Sequence, residues 1–271
     1  MSDLYSSICI SSVKSTILSL MGMEPTDGNE KVNPLVKALA NGKKIDRAVI
    51  FNPDAVALWV YQKYTEKFAA AAVDSDIAVP MLSVMPSVTP VCFASMYTGV
   101  MPEKHGIRRY EKPVLKEETV FDRLLADGKK CAIVSSEGDS ISKIFLERNM
   151  DYFIYGGDDE IEKIDEKALE LIENSDYDLI VIYNGNYDGF MHKFGPESPE
   201  ALSRLEMNVA FYDKMVKTIK SSDNGRTTFY GFCPDHGCHE IDGGCGSHGL
   251  DMQEDMNVIH FYGITNKFEE K

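Results

Sequence analysis

LIVIYNGNYDGFMHKFGPESPEALSRLEMNVAFYDKMVKTIK, residues 179–220, holds a strand, a turn and a long helix in succession. LIVIY (179–183) is a short β-branched run of the kind that forms a strand. KFGP (193–196) is a turn, and Ser198-Pro199-Glu200 opens a helix with Ser198 as N-cap and Pro199 at the first helical position. Leu202, Leu205, Val209, Tyr212, Val216 and Ile219 then recur at spacings of three and four, which marks one core-facing stripe. The same alternation continues outward through AVIF (48–51), IAVPML (77–82), CAIV (131–134), YFIY (152–155), TTFYGF (227–232) and NVIHFY (257–262). Thr119 is the expected cap of a helix carrying Phe121, Leu124 and Leu125, closed by Gly128. Strands alternating with helices predict an α/β fold, a three-layer α/β/α sandwich on a mostly parallel central sheet. Residues 1–45 read as an N-terminal helical extension with a polar linker, MEPTDGNEKVNP (23–34), and residues 46–271 as the main domain.

The chain has 271 residues, 44% of them hydrophobic, enough to build a core. No apolar run approaches the roughly 18 residues of a membrane span. The N-terminal segment carries Asp3 where a signal peptide would be positive, and it reads as an amphipathic helix, so a cytoplasmic protein is expected. Six cysteines in a chain of this length are expected to be reduced. A net charge of −15 opposes nucleic acid and anionic membranes as partners. It sets no oligomeric state.

Chemistry-bearing residues gather where strands are expected to end: Asp54 after AVIF, Asp188 with His192, Asp235-His236 after TTFYGF, and His248 in a Gly-rich loop. The carboxyl ends of strands are where open α/β sheets bind ligands. Each residue alone has an ordinary alternative. Asp188 and His192 could be a surface i,i+4 pair, Asp54 an N-cap, Asp235-His236-Gly237 a polar turn and His248 a loop histidine. PSVTPVCFASMYTGVMPEKHGI (86–107) places Thr89 before Pro90 at the start of a helix, where the dipole favours an alkoxide or a bound phosphate. A Thr cap without chemistry has the same pattern. Cys233, Cys238, His239 and Cys245 lack the paired spacing of a structural zinc site. His105 reads as structural, and His260 lies inside a strand.

Thr89, the Ser95-Met96-Tyr97-Thr98-Gly99 run, Pro102, His105-Gly106-Ile107, DGFMHKFGP, PDHG and GSHGLD, in this order, resemble the alkaline phosphatase superfamily. The type I phosphodiesterase/nucleotide pyrophosphatase branch is the most similar, over about residues 46–262. The resemblance implies an alkaline phosphatase-like domain with no large cap. It makes Thr89 the nucleophile and a ligand of one metal with Asp54, Asp235 and His236, while Asp188, His192 and His248 hold another. Carboxylate and imidazole donors suit two divalent transition-metal ions, Zn²⁺ or, less tightly, Mn²⁺.

The activity so implied is two-metal hydrolysis of a small phosphate ester through a phospho-threonine intermediate, with a small molecule as the only expected partner. Two departures stand out: Ala55 follows Asp54 where the family commonly has Gly, and Tyr110 takes the position of a phosphate-contacting Asn. Tyr110 is thereby the expected substrate contact, and although its phenol replaces an amide donor the expected activity is phosphodiesterase/pyrophosphatase-like, with monoesters as a side activity. Arg108 and Arg109 read as a solvated basic turn. A phosphomonoesterase, a phosphotransferase or mutase of the same superfamily, and a noncatalytic metal-binding module are the alternatives. A mutase needs a sizeable cap to exclude water, for which the chain has no spare length.

Overall fold

A computed structural model of the chain describes residues 5–24, 31–157, 159–222 and 225–265. Ten strands are formed among them: β1 Ile8–Cys9, β2 Arg47–Pro53, β3 Ile77–Leu82, β4 Cys131–Ser136, β5 Asp151–Tyr155, β6 Leu179–Asn184, β7 Thr228–Phe232, β8 His239–Ile241, β9 Cys245–Ser247 and β10 Asn257–Ile264. All seven expected runs are strands. Eight strands form one sheet in the order β1-β3-β10-β7-β2-β6-β4-β5, and β8-β9 is a separate hairpin. Every neighbouring pair in the large sheet is parallel except those of β10, which runs antiparallel to both β3 and β7. The fold is therefore an α/β sandwich with a mostly parallel sheet.

Alternation along β2 shows how the layers are made. Ala48 and Ile50 face one buried cluster with Phe93, Phe121 and Phe145, whereas Val49 and Phe51 face a second with Tyr212, Met215 and Val216. A strand apolar on both faces needs helices on both, which the crossovers between parallel strands supply. The long helix is Pro199–Ser221, and the Ser198 hydroxyl accepts from the Ala201 N–H at 3.1 Å, as its sequence predicts. Thr119 caps helix Val120–Ala126 reciprocally with Asp122.

Residues 8–20 are joined to the sheet. β1 pairs with β3 at the sheet edge, and helix Ser12–Leu20 contributes Val13, Ile17 and Leu20 to the cluster containing Phe93. This helix is buried on nearly all sides, where an amphipathic helix was expected. Its polar side is tolerated because Ser12, Ser15 and Thr16 donate to the carbonyls of Cys9, Lys31 and Ser12, and Lys14 pairs with Glu118 at 3.3 Å. Of the 23–34 linker, residues 25–30 lie outside the described residues.

Asp165, on helix Glu160–Asn174, has a buried Oδ1 without a hydrogen-bond partner. Burial pushes its carboxyl up to about 7 against the opposing pull of Lys214. The folded state thus binds this proton more tightly than the unfolded chain, so stability falls as pH rises from about 4 to about 7. Asp165→Asn removes that cost. In urea denaturation its stability advantage over the unmodified protein should be near zero at pH 4 and grow to roughly 1–3 kcal/mol at pH 8. An advantage that does not change with pH would remove Asp165 ionisation as its cause.

Candidate metal centre and nucleophile

The parallel strands all end on one edge of the sheet. Asp54 follows β2, Thr89 begins helix Thr89–Thr98 after β3, Asp188 and His192 sit on helix Asn186–Phe194 after β6, and Asp235-His236 follow β7. Antiparallel β10 begins where its neighbours finish, so the connection into it brings His248 to the same edge. The seven residues come from five segments.

They form two trios, Asp54/Asp235/His236 and Asp188/His192/His248, and within each the ligand atoms lie within 4.8 Å of one another. In the first, His236 Nε2 is 3.3 Å from Asp54 Oδ1 and 3.4 Å from Asp235 Oδ2. Thr89 Oγ1 lies 3.3 Å from His236 Nε2 and 3.4 Å from Asp54 Oδ2. In the second, Asp188 Oδ1 is 3.4 Å from His192 Nε2 and 3.5 Å from His248 Nε2. The trios adjoin, with the His236 and His248 rings stacked at 4.0 Å. The first is fully buried. The second opens outward, with the His192 side chain 43% exposed.

The histidine tautomers are set by the backbone. Nδ1 of His192, His236 and His248 lies 2.9–3.0 Å from the carbonyls of Gly246, Gly237 and Ser87. A carbonyl only accepts, so each Nδ1 carries the proton and each Nε2 turns a lone pair into the site. His192 Nε2 and His248 Nε2 are 3.1 Å apart with neither able to donate. Two lone pairs at that distance repel unless a cation lies between them. Asp54 Oδ1, Asp188 Oδ1 and both Asp235 carboxylate oxygens are buried without a hydrogen bond. Burial, with the nearby Asp54 charge, pushes Asp188 and Asp235 well above the usual carboxylate range. Burial also lowers His236, and with the neighbouring His236 it lowers His248 to about 2. Stranded acceptors and converging imidazole lone pairs fit two divalent cations.

Local backbone explains the placement. Helix Thr89–Thr98 is capped by Val88, so Thr89 is its first residue and Pro90 its second, one step later than the sequence suggested. Its hydroxyl therefore caps nothing and is turned into the first trio. Ala55 adopts φ 64°, the left-handed conformation that glycine takes without cost. The departure at this position leaves Asp54 in place and costs some backbone strain. Gly237 has no alternative: a Cβ there would stand 2.0 Å from the Glu254 carbonyl oxygen.

Tyr183 was not singled out by the sequence. Its buried hydroxyl donates to Asp54 Oδ2 at 2.5 Å, and its only signal was its place at the end of the LIVIY run. Tyr110 makes no hydrogen bond to any of the ligands; it is 61% exposed, with the Lys112 ammonium 5.2 Å from its ring. Arg109 pairs with Glu111, and Arg108 donates to the Glu103 carbonyl, as a solvated turn would. His105 accepts from the Ile107 N–H through Nδ1, so its Nε2–H donates to Ser95 and cannot act as its base. All six cysteines are unpaired, and Cys233, Cys238, His239 and Cys245 form no ligand group among the described residues.

The sheet and its edge cluster define an alkaline phosphatase-like α/β fold. A family model, type I phosphodiesterase / nucleotide pyrophosphatase, matches residues 48–242, well over half of the chain. The chain belongs to that family, one of hydrolases acting on phosphoesters. No curated protein sequence matches. Among solved structures, human ectonucleotide pyrophosphatase / phosphodiesterase 5 shares 13% identity at a TM-score of 0.64, over 80% of this chain and 87% of that one. An inactive variant of the murine protein, with a threonine replaced by alanine and in complex with AMP, shares 17% at 0.59, over 73% and 59%. Phosphonoacetate hydrolase from Sinorhizobium meliloti 1021, in complex with phosphonoformate, shares 18% at 0.54, over 76% and 61%. These likenesses show a common fold. The chain spans 58–59% of the murine chains.

Proposed function

We propose that the protein hydrolyses a small phosphodiester at the edge cluster, with Thr89 as nucleophile. The observation that carries this reading is the uncapped Thr89 hydroxyl, held at the start of a helix between Asp54 Oδ2 and His236 Nε2. Asp54, Asp235 and His236 would hold one divalent ion beside it, and Asp188, His192 and His248 the other. Zinc suits the mixed carboxylate and imidazole set, with manganese as the weaker candidate. When bound, such a pair lowers the pKa of a hydroxyl or water and stabilises negative charge on phosphate oxygens.

The chain's own part is geometric. Thr89 Oγ1 loses its proton and forms its bond to phosphorus as the P–O bond to the leaving group breaks, the proton leaving with that group as an alcohol; water then cleaves phospho-Thr89, releasing the phosphate monoester and restoring the hydroxyl. The Tyr183 hydroxyl fixes Asp54 while Asp54 orients Thr89 Oγ1, and the helix N-terminus favours the phosphoryl charge. The AMP complex of the murine neighbour supports a nucleotide-like ester as substrate.

The test combines metal content with substrate choice. Elemental analysis should give about two equivalents of Zn or Mn, and a chelator should strip the solvent-facing Asp188/His192/His248 site before the buried one. Catalytic efficiency should be higher on an alkyl aryl phosphodiester than on the matched aryl monoester. Uptake of no metal by the folded protein would overturn the reading, and a large monoester preference would replace the diesterase with a phosphatase.

A further inference from the structure

Asp255 lies outside both trios, yet three of its hydrogen bonds reach the two loops that supply them. Its side chain is fully buried, on the short helix Gln253–Met256 that leads into β10. Carboxylate Oδ1 lies 2.7 Å from His239 Nδ1, and Oδ2 accepts from the Leu250 N–H at 2.8 Å. Its main-chain carbonyl accepts from the Gly237 N–H at 2.7 Å. Gly237 belongs to the loop that carries His236, His239 opens β8 where that loop ends, and Leu250 belongs to the loop that carries His248. One residue thus ties together the two segments whose imidazoles stack at 4.0 Å across the trios.

We propose that Asp255 is a positioning residue that locks the loops of His236 and His248 together, so that the affinities of the two metal sites are coupled through its carboxylate. The inference rests on the two-metal reading above.

Its chemistry is specific to a carboxylate. Both neighbours offer N–H groups, and only a side chain with two acceptor oxygens satisfies both at once. An asparagine accepts from one and presents an NH₂ to the other, which the His239 ring meets only by moving its proton to Nε2, while alanine leaves both donors without this acceptor. Gly237 adds to the constraint, because the Glu254 carbonyl leaves no room for a side chain there and the loop closes directly on the 254–255 backbone. The bond to the Gly237 N–H comes from the main chain, so it survives every substitution at position 255 and holds part of the loop in the variants.

The experiment measures zinc affinity at both sites by chelator competition, at a temperature well below each variant's unfolding transition. Asp255→Ala should weaken both sites measurably, by less than the roughly 10–100-fold expected for removing a hydrogen-bond partner of a ligand itself, because Asp255 acts through the loops and touches no ligand. Asp255→Asn should weaken them less. His239→Phe breaks only the link to the first loop, so it should weaken the Asp54/Asp235/His236 site more than the other. A role in stability alone would lower the melting temperature of all three variants and leave the affinities of the folded protein unchanged, and that result overturns the inference. So does an Asp255→Ala protein in which one site weakens and the other keeps its full affinity. Failure of the parent protein to bind either zinc or manganese would instead defeat the two-metal reading itself, and the unsubstituted control distinguishes the cases.

Discussion

Thr89→Ala should abolish turnover of phosphate esters, by at least about 10³-fold in kcat, while the protein stays folded and keeps most of its metal affinity. A methyl group has no electron pair for phosphorus, and among the described residues no other hydroxyl is hydrogen-bonded to both Asp54 and His236. Tyr183 Oη, which also reaches Asp54 Oδ2, is buried in donating to that carboxylate. The stability cost should stay below the roughly 1 kcal/mol of losing a helix cap, because Val88 rather than Thr89 is the N-cap and the lost hydroxyl satisfies no helix N–H. Thr89→Ser should retain measurable activity. A steady-state assay beside a thermal melt separates the effects, and full activity in a folded Thr89→Ala protein would take Thr89 out of the mechanism.

Gly237→Ala should damage stability and metal binding together by adding a single carbon atom. The added Cβ would meet the Glu254 carbonyl oxygen at 2.0 Å and the Ala57 methyl at 2.9 Å. The first is backbone and cannot rotate aside, so one loop must move. Moving it stretches the Gly237 N–H bond to the Asp255 carbonyl and shifts His236, whose Nδ1 is held by the carbonyl of residue 237 itself. Overpacking of this kind costs roughly 1–3 kcal/mol, and a displaced imidazole should lower affinity at the Asp54/Asp235/His236 site as well. Urea denaturation and metal titration on the same sample check both. An unchanged midpoint with unchanged metal content would mean that the two loops can part freely.

Those two residues also show how differently the site could be read from the chain. Gly237 is visible in sequence as the third member of Asp-His-Gly, but its necessity comes from a carbonyl seventeen positions away. Thr89 is visible because Pro90 marks a helix start. Whether its hydroxyl caps that helix or faces the carboxylate and imidazole cluster was open in sequence, and the answer depends on one residue of offset, with Val88 taking the cap. Asp188 and His192 could be joined because one helical turn separates them, a relation the chain alone supplies. Their meeting with His248 required β10 to run against its neighbours.

Local periodicity and capping were enough to read seven strands of the sheet, the Ser198 and Thr119 helix starts, and the ordered motifs that mark the family from the chain alone. Short-range rules fix these, since a β-branched run or a spaced apolar stripe has one favourable way to bury itself. The other features follow from long-range packing. The burial of helix Ser12–Leu20, the Tyr183 hydroxyl on Asp54, the Asp255 clasp and the exposure of Tyr110 all depend on partners distant in the chain. Such contacts leave no periodic trace, because a single buried hydrogen bond asks only that two groups meet, and where they meet is set by how the sheet is ordered.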